Sequence, residues 1–281
     1  MLRVAVPNKG SLAEEAARLL RDAGYRQRRD IRELTLVDAD NDVEFFYLRP
    51  RDIAVYVGEG TLDVGLTGRD LLQDSGAHAT ELLALGFGAA RLHFAAPPGD
   101  VAEVSDLRGR RVATSYAGVV EGHLRRIGVA ASVVRLDGAV ESAVRLGVAD
   151  AIADLVSTGT TLRAAGLAVV GDPILESEAV LVIRDGAAEP AGLSVFERRL
   201  QGVLVARAYV MMDYDIRTEQ LEEAVALTPG IESPTISPLH REGWVAVRAM
   251  VPRNSAQRVM DALWLLGARG TLMSDVLACR L

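Results

Sequence analysis

The stretch ADLVSTGTTL, residues 153–162, gathers the side chains of this chain best suited to chemistry. An apolar run ends at Val156. Ser157, Thr158, Thr160 and Thr161 then surround Gly159, and Asp154 stands two residues before the expected end of the strand. A loop that leads from a strand into a helix near Thr161 offers free backbone N–H groups and the positive end of a helix dipole, and both favour an anion. The hydroxyls add donors for tetrahedral oxygens, and Gly159 lets the backbone approach closely. A phosphate monoester meets this set of groups. The plainer alternative is a capped loop, since Ser and Thr are common helix caps. No lysine follows the glycine, so the loop is not a P-loop. Asp154 lies in an otherwise apolar strand, and a buried carboxylate needs partners. A ribose diol, a magnesium ion or an arginine serves that need, and so does a simple salt bridge at the strand end.

Other charged residues fall in similar turns. Lys9, beside Gly10 in PNKGS, precedes a helix and is either a polyphosphate partner or a solvated loop residue. Arg49 and Arg51 flank Pro50 in another such turn and carry the same two readings. Glu141 falls in the first turn of a helix expected over 138–147, where it either caps that helix or faces the same cleft as Asp154. Tyr116 in TSYAG stacks on a base or packs. Turns of this kind collect at the carboxyl edges of α/β sheets, where ligands bind.

The elements that must position these residues alternate. Residues 2–6 read as a strand, and a helix follows from about Leu12, with Ser11 and Glu14 at capping-box spacing. Residues 43–48 form a strand, Pro50 opens a helix, 63–67 form another strand, and a helix starts at Asp70. Strand, hydroxyl-bearing turn and helix recur through residues 110–165. The alternation predicts an α/β domain with a largely parallel sheet. GTLDVGLTG and GVADAIADLVSTG share a short likeness, as two α/β lobes with similar turns would. From about residue 203 the pattern changes. A long strand is expected over GVLVARAYVMMDYD, followed by helix, two strands, helix and strand, the βαββαβ order of a ferredoxin-like domain.

Composition narrows the function. The 281 residues are 49% hydrophobic and 25% charged, as in globular proteins, and the net charge of −7 argues against nucleic-acid binding. One cysteine excludes an internal disulfide framework. No apolar run reaches the length of a membrane span, and no signal peptide is recognisable. The chain is therefore expected to be cytoplasmic. The four histidines lack metal-ligand spacing, and GFGAAR lacks the third glycine and the position of a dinucleotide fingerprint.

The segments RVAVPNKGSL, RPRDIAVYV, DVGLTGRDL, LALGFG, DGAVESAVRLG, ADAIADLVSTGTTL and SEAVLV, in that order, together with TPGIESPTISPL, closely resemble the ATP phosphoribosyltransferase family. The likeness spans essentially the whole chain, and the tail is similar to the regulatory domain of the family's long form. The resemblance implies an α/β fold: a bilobed, periplasmic-binding-protein-like catalytic part with a C-terminal ferredoxin-like (βαββαβ) regulatory domain. It divides the chain into lobe I over 1–90 and 174–205, lobe II over 91–173, and the regulatory domain over 206–281. It implies transfer of the 5-phosphoribosyl group from phosphoribosyl pyrophosphate to N1 of ATP, with release of pyrophosphate, as the first step of histidine biosynthesis.

By the same resemblance Ser157, Thr158, Gly159, Thr160 and Thr161 cradle the 5-phosphate, Asp154 holds the ribose hydroxyls and Glu141 assists. Lys9, Gly10, Arg49, Arg51, Asp70, Leu71 and Tyr116 serve ATP, with Lys9 also in a catalytic role. Asp215, Ile231, Ser233 and Thr235 line a site for histidine as inhibitor. Magnesium (Mg2+) is expected mainly on the substrate pyrophosphate, with no protein ligand assigned. A homo-oligomer, dimer or hexamer, is implied. TGTTL stands where many relatives have TGATL, and SYAGVVEGHL is a variable part of the family. A solute-binding module and a metabolite-sensing regulator are the rival readings.

Overall fold

The computed structural model describes residues 1–156 and 159–280. The chain divides into two compact units, one comprising Met1–Arg18 and Tyr25–Leu193, the other Leu19–Gly24 and Ser194–Leu281.

The first unit opens with β1 (Leu2–Pro7), α1 (Ser11–Asp22, whose last residues from Leu19 belong to the second unit), β2 (Thr35–Asp38), β3 (Val43–Leu48), α2 (Pro50–Gly58), β4 (Val64–Gly68), α3 (Arg69–Ser75) and β5 (Ala79–Ala84). Next come β6 (Ala90–Ala96), β7 (Arg111–Thr114), α4 (Ala117–Arg126), β8 (Ser132–Arg135), β9 (Ala151–Val156), α5 (Thr160–Ala164), β10 (Ala168–Ser177) and β11 (Ala179–Arg184). One sheet runs β2-β3-β1-β4-β11-β5 and a second runs β10-β6-β9-β7-β8. The chain therefore leaves the first sheet after β5 and rejoins it at β11. Strand β11 inserts antiparallel between β4 and β5. Two sheets joined by two crossings make two α/β lobes. In each sheet a parallel centre (β3-β1-β4, and β9-β7-β8) sets the turns before α1, α2, α3, α4 and α5 at carboxyl ends of strands.

Side-chain alternation explains the layers. On the second sheet, Leu92, Phe94, Val112, Ala151 and Ala153 pack on one face with α4, while Ala95, Ala113 and Ile152 pack on the other with Val140 and Leu162. Burial on both faces is what parallel sheets require. Pro50 supplies the first helical position of α2, and Ile53, Ala54 and Val57 turn inward from it.

Residues 138–147, expected as a helix, instead form a 3-10 turn at Val140–Ser142 followed by further turns. Gly138 and Ala139 both have positive φ, 130° and 49°, which starts the segment outside helical geometry.

In the second unit α6 (Leu193–Ala208) precedes β12 (Tyr209–Arg217), α7 (Leu221–Leu227), β13 (Thr235–Pro238), β14 (Trp244–Pro252), α8 (Ala256–Leu266) and β15 (Arg269–Asp275). The long strand expected from residue 203 starts only at Tyr209. Phe196, Leu200, Val203 and Ala206 are buried at helical spacing, whereas Val210, Met212, Tyr214 and Ile216 are buried at a spacing of two. The antiparallel sheet order β13-β14-β12-β15 is that of a ferredoxin-like βαββαβ domain. Its core joins those inward residues of β12 to Ala224 of α7 and Leu263 of α8.

Candidate functional site

A cavity of about 400 Å³ opens in the first unit at the ends of β1, β4 and β9 and at the crossings between the lobes. The turn after β1 contributes Lys9, Gly10 and Ser11, the start of α2 contributes Pro50, and α3 contributes Asp70 and Leu71. The second lobe contributes Tyr116 and Leu155, and the return crossing adds Ser177 and Glu178. The sequence-derived ATP set therefore divides. Lys9, Gly10, Asp70, Leu71 and Tyr116 share this cavity. Arg49 is exposed at the start of α2. Arg51 is committed elsewhere: it donates from Nη1 to Asp74 Oδ2 at 2.6 Å and from Nη2 to the Ser115 carbonyl at 2.8 Å.

Asp70 is the node of the cavity. It is buried, and Ser177 Oγ donates to its Oδ1 at 2.7 Å while accepting the Asp70 N–H at 3.0 Å. A Cβ at Gly68 would overlap that same Oδ1, so the carboxylate folds back over its own helix start only because glycine stands there. Tyr116, from the opposite lobe, lines the same cavity close enough to Asp70 to feel its charge. Burial, then the negative charges of Asp70 and Asp154, hold the Tyr116 phenol well above its ordinary pKa, so it stays a neutral donor. Sequence reasoning did not single out Ser177 or Glu178. Their place in SEAVLV, directly before an apolar strand, marks a crossing but not what it faces.

Asp154 sits on β9 with the parity of Ile152, and so on the face covered by the Val140–Ser142 turn and α5. It is half-buried. Burial raises its pKa first, the Leu155 N–H donated at 2.8 Å lowers it, and the charge of Glu141 raises it again. The two acids thus sense one another although the expected helix is absent. His93 is the register partner of Asp154 on β6 and was not anticipated; its Nδ1 is buried without a partner. Burial and the Arg91 charge push its pKa down, which keeps the ring neutral near pH 7.

Of the hydroxyl loop, Ser157 and Thr158 lie outside the described residues. Gly159 adopts φ 71°, and Thr160 and Thr161 are exposed at the start of α5. Among the described residues no three His, Cys, Asp or Glu side chains cluster as a metal cage. The Asp154–Glu141 pair fits the way magnesium is usually held: one or two carboxylates, retained waters and substrate phosphates.

In the second unit, Asp215 on β12 lies opposite Ala246, which also faces Ser237, while Thr235 faces Arg248 one row along. Asp215 and Thr235 therefore share the sheet face that α7 and α8 do not cover. Ile231 and Ser233 lie in the turn that enters β13, where the backbone at Gly230 closely approaches Ser233. Among the described residues no helix is long and apolar enough to cross a membrane.

Two α/β lobes around a cavity, followed by a βαββαβ domain, define a ligand-cleft protein with an appended small domain. Family models described as ATP phosphoribosyltransferase and as "HisG, C-terminal domain" match residues 49–202 and 206–277. The chain is 63% identical over its whole length to all of a protein named ATP phosphoribosyltransferase from Arthrobacter sp. (strain FB24). It is 64% identical, again over the whole of both chains, to one from Streptomyces coelicolor. A solved "ATP phosphoribosyl transferase (HisG:HisZ) complex from Thermotoga maritima" is similar with a TM-score of 0.63 at 26% identity, covering 72% of this chain and 97% of that one. The chain belongs to the ATP phosphoribosyltransferase family.

Proposed function

We propose that this chain transfers the 5-phosphoribosyl group of phosphoribosyl pyrophosphate to N1 of ATP, giving phosphoribosyl-ATP and pyrophosphate in the first step of histidine biosynthesis. The observation that carries the reading is the cavity in which Lys9, Asp70, Leu71 and Tyr116 meet beside β9, in a chain whose full-length relatives bear that activity's name.

The reaction separates a cation-like ribose C1 from pyrophosphate. The protein's tasks are therefore alignment and charge stabilisation. Adenine N1 is nucleophilic as it stands and requires no strong base. Asp154 accepts the ribose hydroxyls, and its half-buried carboxylate gains strength as an acceptor from poor competition by water. Glu141 supports it from the facing turn. The Ser157–Thr161 loop holds the 5-phosphate. Lys9, exposed at the mouth of the cavity, meets phosphate oxygens, and Arg49 can reach the same side from the start of α2. Asp70, its geometry set by Ser177, and neutral Tyr116 face the nucleotide. Magnesium bound with the pyrophosphate would supply charge neutralisation there, and Asp154 and Glu141 are the residues that would hold it. Histidine is read as a feedback inhibitor bound by Asp215, Ile231, Ser233 and Thr235, acting through a homo-oligomer. A cytoplasmic enzyme accords with this role.

Incubation with ATP, phosphoribosyl pyrophosphate, magnesium and a pyrophosphatase should produce a near-UV-absorbing adduct. Asp154→Asn should lower turnover by about 100-fold, the scale of a lost transition-state hydrogen bond to charge. No adduct from the wild-type chain overturns the reading, and unchanged kcat and KM in Asp154→Asn overturns the role of that residue.

A further inference from the structure

Asp74 has no part in the cavity, yet its side chain is only 1% exposed. It stands in the last turn of α3, the negative end of that helix, where a carboxylate is disfavoured. Its partners all come from other elements. Arg51 of α2 donates at 2.6 Å, and Arg135 at the end of β8 lies 3.9 Å away. From the opposite lobe, the backbone N–H groups of Gly118 and Val119 donate to its Oδ1 at 2.8 and 3.4 Å. Those are orphan donors of the first turn of α4, and Tyr116 at the N-cap makes no side-chain cap of its own. A carboxylate of the first lobe thus caps a helix of the second.

Arg51 completes the arrangement. While bound to Asp74 it donates to the Ser115 carbonyl at 2.8 Å, and its guanidinium lies 5.6 Å from the centre of the Tyr116 ring. Residues 115, 118 and 119 are therefore all held by the first lobe, and Tyr116, within that stretch, lines the cavity together with Asp70. We propose that Asp74 and Arg51 form an interlobe latch that positions Tyr116, and with it the adenine-nucleotide side of the cleft. The positioning role rests on the phosphoribosyl-transfer reading; the latch itself does not.

Two substitutions break the latch from opposite sides. Asp74→Ala removes the cap. Gly118→Ala adds a Cβ that would lie 2.8 Å from the Asp74 backbone oxygen, so the lobes must part, although alanine favours α4 itself. Amide hydrogen exchange and steady-state kinetics on the full chain then give independent readouts. In both variants the amides of residues 115–124 should exchange at least about tenfold faster, with the strands of both sheets unchanged. The KM for ATP should rise about tenfold while that for phosphoribosyl pyrophosphate moves less than about twofold. If Asp74→Ala fails to fold, Gly118→Ala carries the test. Unchanged exchange at 115–124 overturns the latch, and so does exchange that rises equally throughout the unit. Faster local exchange with an unmoved KM for ATP overturns the positioning of Tyr116. A wild-type chain that makes no adduct overturns the functional reading alone, because the exchange result stands without turnover.

Discussion

Ser177→Ala tests how firmly the cavity depends on one hydroxyl. In the structure this oxygen donates to the buried Asp70 carboxylate at 2.7 Å and accepts the Asp70 amide at 3.0 Å. A hydrogen bond to a charged group contributes roughly 1.5–3 kcal/mol, and the orphaned buried amide adds about 1 kcal/mol. Alanine preserves the remaining volume, so no cavity larger than one oxygen forms. A destabilisation of about 3 kcal/mol results, which for a unit of this size lowers Tm by roughly 6–12 °C. Calorimetry on the full chain reads the shift directly. Because Asp70 and Leu71 line the cavity on the same helix start, the KM for ATP should rise about tenfold in parallel, the equivalent of one lost hydrogen bond. A Tm change under about 2 °C, which on this scale is less than about 1 kcal/mol, would refute the role assigned to Ser177.

Two further outcomes follow from the acids. Glu141→Gln removes a negative charge that raises the Asp154 pKa, so the Asp154 pKa falls and the acidic limb of the kcat/KM profile should move to lower pH; an unmoved limb would mean that the Glu141 charge does not reach Asp154. Because the folded-state pKa of Asp154 is raised, its ionisation disfavours the fold as pH rises through that value. Asp154→Asn should therefore raise Tm above neutral pH while turnover falls, and a lower Tm would contradict the desolvation assigned to this carboxylate. In the βαββαβ domain, Asp215→Ala should weaken histidine inhibition by at least about tenfold, the equivalent of one charge-assisted contact; unchanged inhibition in a dose-response assay places the effector elsewhere.

Much of this architecture was legible in the chain. The alternation of strand and helix announced the α/β lobes, and the period of two in Val210, Met212, Tyr214 and Ile216 marked β12. The same periodicity shows where the strand expected from residue 203 failed, because Phe196, Leu200, Val203 and Ala206 keep helical spacing up to the junction. The helix expected over 138–147 failed for a different reason. Its apolar spacing suits a helix, but Gly138 and Ala139 enter with positive φ, a backbone state that no side-chain pattern reports. The cavity was legible only in part. Lys9 and Tyr116 stand in turns that suggest ligands, Asp70 was reached only through the family resemblance, and Arg49 and Arg51 look equivalent on either side of Pro50.

The sequence by itself determined the alternation of strands and helices, the succession of lobes and tail, and the family to which the chain belongs. These depend on short-range spacing and on motifs read within a few residues. Only the tertiary structure decided what meets across the cleft. It placed Ser177 on Asp70, Tyr116 in the same cavity from the other lobe, and Arg51 on Asp74 and Ser115. Each of these contacts joins residues far apart in the chain. Their energies depend on burial and on the few tenths of an ångström that separate a hydrogen bond from a mere approach, and spacing along a sequence encodes neither.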